Sequence, residues 1–334
     1  MSVQLAQIAT EAGVSVPTVS KVLNSRPDVS RATRDRVAAV LERHGYEIRM
    51  RPRMATGFLD MRVVNLDRAW SEAVVRGAAE GAKAHGKDLV LAVEPDPVDC
   101  DDWVMHALER GSDGLLSVVA VPSADARRQL AEAGIPLVVV DPLHRVPEGT
   151  FSIAATNFQG AFDAAQHLLQ LGHRRIATIT GPLDQDNGIA RLAGFQAAMQ
   201  QAGVPVDEDL VIRTHYGVDQ GYEATRLLLT REARPTGIFA ASDDTALGAI
   251  RALRESDLRI PDDMSVVGFD DLPHSSWIDP PLTTIRQPLA QMGSAAVDVI
   301  VRVRAGRHPA ARTELSTTLV IRSSTSPAAR TPSA

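Results

Sequence analysis

Residues 5–24 read LAQIATEAGVSVPTVSKVLN, and this stretch decides the amino-terminal fold. Leu5, Ile8, Ala9 and Ala12 recur at helical spacing. Gly13 follows where a helix must turn sharply, because glycine takes a left-handed backbone without a Cβ clash. Ser15 is a good N-cap, and Pro17 fits a first helical turn, in which its missing N–H costs nothing. Val16, Val19, Val22 and Leu23 then resume the helical period, so a second helix starts almost where the first one ends. Further on, Ser30 opens a third segment that buries Val37, Val40 and Leu41, and His44-Gly45 closes it, the cation near the carbonyl end. Three short helices with a tight turn between the first two form a helix-turn-helix by spacing alone.

Charge divides the chain at the same place. The whole sequence carries a net charge of −6, which argues against a phosphate-rich partner. Residues 1–53, however, hold nine basic side chains against five acidic ones, a net +4, and the remainder holds 26 against 36, a net −10. A small basic head thus precedes a large acidic body. At 334 residues the chain is long enough for two domains and a small third. Its 44% apolar and 23% charged residues are those of an ordinary globular protein. No run approaches the roughly 18 apolar residues of a spanning helix, and Met1-Ser2-Val3-Gln4 lacks the pattern of a secretory signal, so a cytoplasmic protein is expected. Cys100 is the only cysteine, which excludes an intramolecular disulfide and the cysteine-rich zinc sites.

The identities within the head go beyond spacing. Ala9, Gly13-Val14-Ser15, Thr18 to Asn24, Val29-Ser30, Thr33-Arg34, Val37 and Gly45-Tyr46 together resemble the DNA-binding domain of the LacI/GalR family of bacterial transcription regulators. The resemblance implies that the second helix lies in the major groove of double-stranded operator DNA. Lys21 can donate to guanine or phosphate, Val16 and Pro17 offer apolar contact, and Thr18, Ser20 and Asn24 suit phosphates. Capping is the competing role for Thr18 and Ser20. Arg49 to Met54 then reads as a basic linker. The family's hinge helix carries an alanine and a wedging leucine where Pro52 and Ala55 stand here, so that match fails. Either Met50 or Met54 replaces the wedge beside Arg53, or the segment is a basic tether.

Beyond the linker, short apolar runs alternate with amphipathic stretches. Arg62 to Leu66, Asp88 to Val93, Gly114 to Val119, Leu137 to Val140, Arg175 to Thr180, Gly237 to Ala241 and Ser265 to Phe269 read as strands. Between them lie helical stretches such as 73–85, 159–171, 192–201, 221–229 and 245–254. Such alternation predicts two doubly wound α/β lobes with a ligand crevice at the strand carboxyl ends. The blocks His167 to Ala177, Gly181-Pro182, Arg191 with Gly194-Phe195, Arg234 to Thr236, Ala241 to Asp243, Ile260 to Asp263, Ser265 to Asp271 and Pro281 to Ile285 again resemble the LacI/GalR family. That implies a core like a periplasmic sugar-binding protein behind an all-α helix-turn-helix head.

The expected division is a head over 1–46, a hinge over 47–61, a core over 62–325 and a disordered tail over 326–334. Within the core, the N-lobe is expected at about 62–157 and 285–312 and the C-lobe at about 158–284 and 313–325. The resemblance implies effector contacts from Arg191, a planar donor, and Asp270, an acceptor beyond an apolar strand. It places Trp70, Asp141, Gln185 and Asn187 (both in a loop before Arg191), Tyr216 and Ser242 in the same pocket. An interlobe salt bridge competes for Arg191 and Asp270, and ordinary packing for Trp70 and Tyr216. A sugar suits this polarity, and a purine or nucleoside would also stack on Trp70 and Tyr216. Leu247 and Trp277 fall where family members form a dimer interface, and the absence of a heptad tail predicts a homodimer without tetramers.

Two other classes deserve weighing. A sugar receptor for transport would need an export signal and would not need a basic head. A magnesium-dependent phosphotransfer protein could use Asp243-Asp244 and Asp270-Asp271, but no Walker lysine motif, nucleophile elbow, G-x-G-x-x-G or H-E-x-x-H occurs. No catalytic constellation, metal site or cofactor is expected. The sequence therefore points to a ligand-responsive DNA-binding regulator, a repressor of carbohydrate-utilisation genes.

Overall fold

A computed structural model describes residues 5–23, 29–44, 56–66, 68–94 and 101–328. The head is three helices, α1 (Leu5–Ala12), α2 (Val16–Leu23) and α3 (Arg31–Arg43). Gly13 has φ +64°, the left-handed value its turn requires, and Ser15 Oγ accepts the Thr18 N–H at 3.3 Å as the cap of α2. Ile8, Ala9, Ala12, Val19, Val22, Val37, Val40 and Leu41 form the core that the helical spacing predicts. At its edge the Glu11 carboxylate ties α1 to the end of α3 through Arg43 (3.0 Å) and His44 (2.6 Å).

Two lobes follow. The first is built from β1 (Phe58–Val63), α4 (Ala69–Ala84), β2 (Asp88–Val93), α5 (Asp101–Arg110), β3 (Leu115–Val118), α6 (Ala124–Glu132), β4 (Leu137–Val140) and β5 (Phe151–Ala155). The second comprises α7 (Asn157–Gln170), β6 (Ile176–Ile179), α8 (Asp186–Gln201), β7 (Val211–Ile212), α9 (Val218–Leu229), β8 (Gly237–Ala240), α10 (Asp243–Glu255), β9 (Ser265–Asp270) and β10 (Thr283–Arg286). The chain then returns to the N-lobe for α11 (Leu289–Arg304) and β11 (Arg312–Leu315), and ends in the C-lobe with β12 (Thr318–Val320).

The sheets have matching orders, β2-β1-β3-β4-β5-β11 and β7-β6-β8-β9-β10-β12. Every pairing is parallel except β10 with β12. Continuous apolar runs such as LVVV in β4 are buried along their whole length, as parallel strands covered on both faces must be. Helix α11 packs on α4 so closely that a methyl group at Gly77 would lie 1.9 Å from the Ala290 carbonyl oxygen. No helix among the described residues is long and apolar enough to cross a membrane.

Several boundaries differ from expectation. The first strand spans Phe58–Val63 where Arg62 to Leu66 is expected, and so begins inside the expected linker. Asp60 interrupts the apolar pattern that would announce its start, and Arg62 is the second charge within it. Both are buried and paired, Asp60 with Arg110 Nη2 at 2.6 Å and Arg62 Nε with Glu94 at 3.3 Å. The lobe crossovers fall at Gln287-Pro288 and Ser316-Thr317, since β10 stays in the C-lobe sheet and β11 in the N-lobe sheet. The expected disordered tail is ordered as far as the described chain runs. The Ser326 carbonyl bonds His173 Nε2 at 3.0 Å, and the Ala328 N–H donates to Leu171 O at 2.9 Å. Residues 329–334 lie outside the described residues.

Candidate functional site

The crevice lies where the strand carboxyl ends of both lobes meet, and its backbone is unusual there. Val119, Asp141 and Asp270, at the ends of β3, β4 and β9, have φ of +60°, +50° and +125°. Non-glycine residues in this region cost about 1–3 kcal/mol each, and such strain concentrates at binding sites.

Arg191 is the centre of the site. It is 3% exposed on α8, its Nε donates to Asn157 Oδ1 at 2.8 Å, and its Nη1 donates to the Ala241 carbonyl. The guanidinium carbon sits 3.8 Å from the Phe269 ring centroid and 5.4 Å from that of Tyr216. Asp270 Oδ1 lies 3.7 Å from Nη1 and accepts Gln287 Nε2 at 2.6 Å. Burial pushes the Asp270 carboxyl well above its ordinary value, with Arg191 opposing and Asp243 reinforcing the rise. Burial likewise raises Asp141, against the attraction of Arg191 and a hydrogen bond from Asn187. The Tyr216 hydroxyl donates to Asn187 Oδ1 at 3.3 Å.

Of the expected pocket residues, Asp141, Asn187, Arg191, Tyr216 and Asp270 therefore form one cluster. Asn187 belongs to the first turn of α8 itself and not to a loop before Arg191. Gly188 lets the first helical turn of α8 pack on Pro182, whose oxygen would be 2.0 Å from a Cβ. Gln185 is the N-cap residue of α8. The Ser242 hydroxyl caps α10 by accepting the Thr245 N–H at 3.1 Å. Trp70, in the first turn of α4, packs against the N-lobe core. Asn157, Phe269 and Gln287 escaped the sequence reading. The signal available for Gln287 was a polar residue directly after strand β10, followed by proline.

The lobes touch through Asp186 N–H, which donates to Leu143 O at 2.8 Å. Beside this contact a cleft of about 650 Å³ runs from Asp141, Asn157 and Asn187 to Arg312 and Glu314 of β11. The aspartate pairs considered for magnesium are engaged by the protein. Asp243 accepts from Leu272 N–H, Ser275 Oγ and Thr284 Oγ1, and burial raises its carboxyl to about 7. Asp271 pairs with Arg286 and Arg322. No cluster of three metal-ligating side chains occurs among the described residues.

On α2, Val19 and Val22 are buried while Val16 (41% exposed), Pro17 and Lys21 face outward, with Thr18 and Ser20 half-buried. The Thr18 hydroxyl lies 2.8 Å from Ser15 Oγ at the cap. Asn24 and the hinge residues Arg53 and Met54 lie outside the described residues. Residues 4–47 match the family model for bacterial regulatory proteins of the lacI family, and residues 165–325 a periplasmic binding protein-like domain. The HTH-type transcriptional regulator DegA of Bacillus subtilis (strain 168) is 32% identical over 339 residues, covering 98% of this chain and 99% of its own. The chain belongs to the LacI family of bacterial regulatory proteins.

LacI-family members are DNA-binding regulators, and this chain is a transcription regulator and not an enzyme. The transcriptional regulator CelR, solved as a cellobiose complex, has a TM-score of 0.73 and 32% identity, with 97% of this chain and 100% of that one covered. The Lac repressor dimer bound to operator and the anti-inducer ONPF has a TM-score of 0.72 and 29% identity, with 98% and 100% covered. In the same frame Leu247 is half-buried on α10, and Trp277 is 78% exposed after a short 3-10 turn.

Proposed function

We propose that this LacI-family regulator is a repressor that binds a pseudo-palindromic operator as a homodimer and releases or tightens on it when a sugar closes the crevice. The observation that carries the sugar reading is the Arg191 cluster. It offers one fixed cation, two carboxyl groups and two amides beside the flat face of Tyr216. Alternating donors and acceptors around a flat surface suit a polyhydroxylated ring. The cellobiose complex of CelR supports the same class of ligand. Dimerisation supplies what one three-helix module lacks, because two linked half-sites multiply a weak single contact. Trp277 and Leu247 are the residues proposed for that interface, with Val16, Pro17, Thr18, Ser20, Lys21 and Asn24 for DNA.

The test has two arms. Selection from random duplex DNA with the full chain should enrich an inverted repeat whose binding weakens steeply with salt. A thermal-shift screen of mono- and disaccharides, cellobiose included, against purine bases and nucleosides should find a stabilising sugar. A ligand at a hundred times its Kd adds about 2.7 kcal/mol. Stabilisation by purines alone would overturn the sugar assignment, and enrichment of no repeat would overturn the operator reading.

A further inference from the structure

The end of the N-lobe opposite the crevice carries a second concentration of buried charge, at the point where the chain leaves the linker. Asp113 precedes β3, and its side chain is 1% exposed. Its Oδ1 accepts the Thr56 N–H at 3.0 Å and its Oδ2 accepts the Gly57 N–H at 3.1 Å. Lys87 Nζ donates to Oδ2 at 2.6 Å, and Arg304 Nη2 stands 3.6 Å from Oδ1. Thr56 Oγ1 donates to the Gly111 carbonyl at 3.0 Å, and the Asp113 N–H donates to Phe58 O at 2.8 Å. Burial alone would push this carboxyl upward. The hydrogen bonds from Lys87, Thr56 and Gly57 outweigh it and hold the group below its ordinary value.

Two rigid elements run from this cluster to the crevice. β3 starts two residues after Asp113, is buried along its length, and ends at Val118, just before the strained Val119. Helix α11 starts two residues after Gln287, whose amide bonds Asp270, and ends at Arg304. Its 16 residues span about 24 Å, and its close packing on α4 leaves it little freedom to bend.

We propose that Asp113 is a positioning residue for operator binding: by gripping the two backbone amides at which the linker enters the N-lobe, it makes each DNA-reading head follow that lobe. Without the grip, the chain joining a head to its lobe is no longer fixed at Thr56 and Gly57, and the effective concentration of the second head at its half-site falls. A neutral amide at this position accepts at one oxygen only and turns an N–H group toward donors.

This inference rests on the homodimeric operator reading, and its test separates the two. Full-length wild type and Asp113→Asn are compared on a selected two-half-site duplex and on the same duplex with one half-site scrambled. Amide exchange at Thr56 and Gly57 is measured in parallel. Asp113→Asn should weaken two-half-site binding by about tenfold, leave single-half-site binding within about twofold, and speed exchange at both amides. Lys87→Met, which keeps both amide acceptors, should produce the same pattern at about threefold, and carries the test if Asp113→Asn does not fold. Equal loss on both duplexes, or unchanged amide exchange in the folded variants, overturns the proposal. A wild-type chain without preference for the two-half-site duplex would sink the dimer reading alone, and the grip would then stand or fall on amide exchange.

Discussion

The two lobes share a strand order but place their buried charge differently: the C-lobe gathers it at the strand carboxyl ends, whereas the N-lobe carries it at both ends, with Arg62 and Asp141 at the carboxyl side and Asp113 at the amino side. In the C-lobe, Arg191, Asp243 and Asp270 gather at the strand carboxyl ends, in or under the crevice. In the N-lobe, Asp113, Lys87 and Arg304 gather at the strand amino ends, against the chain that leads to the head. Asp141 is the N-lobe's buried charged contribution to the Arg191 cluster. Burying a charge is expensive, so each cluster marks a place where the lobe must hold something fixed. The C-lobe thus supplies most of the ligand cluster, with Asp141 added by the N-lobe, while the N-lobe alone orients the DNA reader, on one and the same scaffold.

The comparison breaks most visibly at Arg191. Arg191→Met should abolish the response to whichever sugar stabilises the wild type, with affinity down at least about 100-fold, near 3 kcal/mol, since a charge-assisted donor set is lost. Binding to the two-half-site duplex without sugar should survive. Calorimetry with the sugar and a DNA titration check both halves of this statement. Sugar binding within about threefold of wild type would remove Arg191 from the site.

A smaller effect is expected from Gly181, which belongs to the C-lobe alone. A methyl group there would lie 2.1 Å from Tyr216 Cζ, so Gly181→Ala must swing the ring away from Asn187 and Arg191. Because the displaced atoms are the far end of a side chain, the fold should persist with Tm changed by a few degrees, while sugar affinity drops about tenfold. Unchanged affinity would show that Tyr216 is packing and not a platform.

Much of this division was legible in the sequence. Capping serines, Gly13 and the valine spacing specify the head locally, and the central strands announce themselves as apolar runs. Arg191 is recognisable by family motif, and Asp270 and Asp141 also by their place beyond such runs. What stayed hidden was decided by distant partners. The start of β1 was missed because Asp60 looks like a surface residue until Arg110 is brought to it. The first turn of α8 stayed hidden because Gly188, which packs on Pro182, is a poor helix former by itself. Asp113 carries no local mark, since its meaning depends on Thr56, Lys87 and Arg304, which only the fold assembles.

The amino ends of the two sheets sharpen the contrast, with the smallest expected effect. Where the N-lobe grips the linker with an ion cluster, the C-lobe grips the carboxyl-terminal segment with His173. Its Nδ1 lies 2.8 Å from Thr236 Oγ1, and its Nε2 lies 3.0 Å from the Ser326 carbonyl and 3.1 Å from Ser265 Oγ. Burial lowers His173 below its ordinary 6.5, outweighing the Ser326 hydrogen bond, and burial lowers the neighbouring His167 as well. The folded state therefore binds fewer protons than the unfolded one, so this stabilisation is complete above about pH 6.5 and is lost as pH falls through the lower folded value. Asp113 is lowered from 3.8, so its contribution is complete above that value and is lost only at still lower pH. Between pH 7 and pH 5, exchange at the Ser326 and Ala328 amides, corrected for intrinsic rate, should accelerate about threefold, while Thr56 and Gly57 stay protected. Parallel loosening at both ends would mean that the two grips are not independent, and that the lobes differ in ligand chemistry alone.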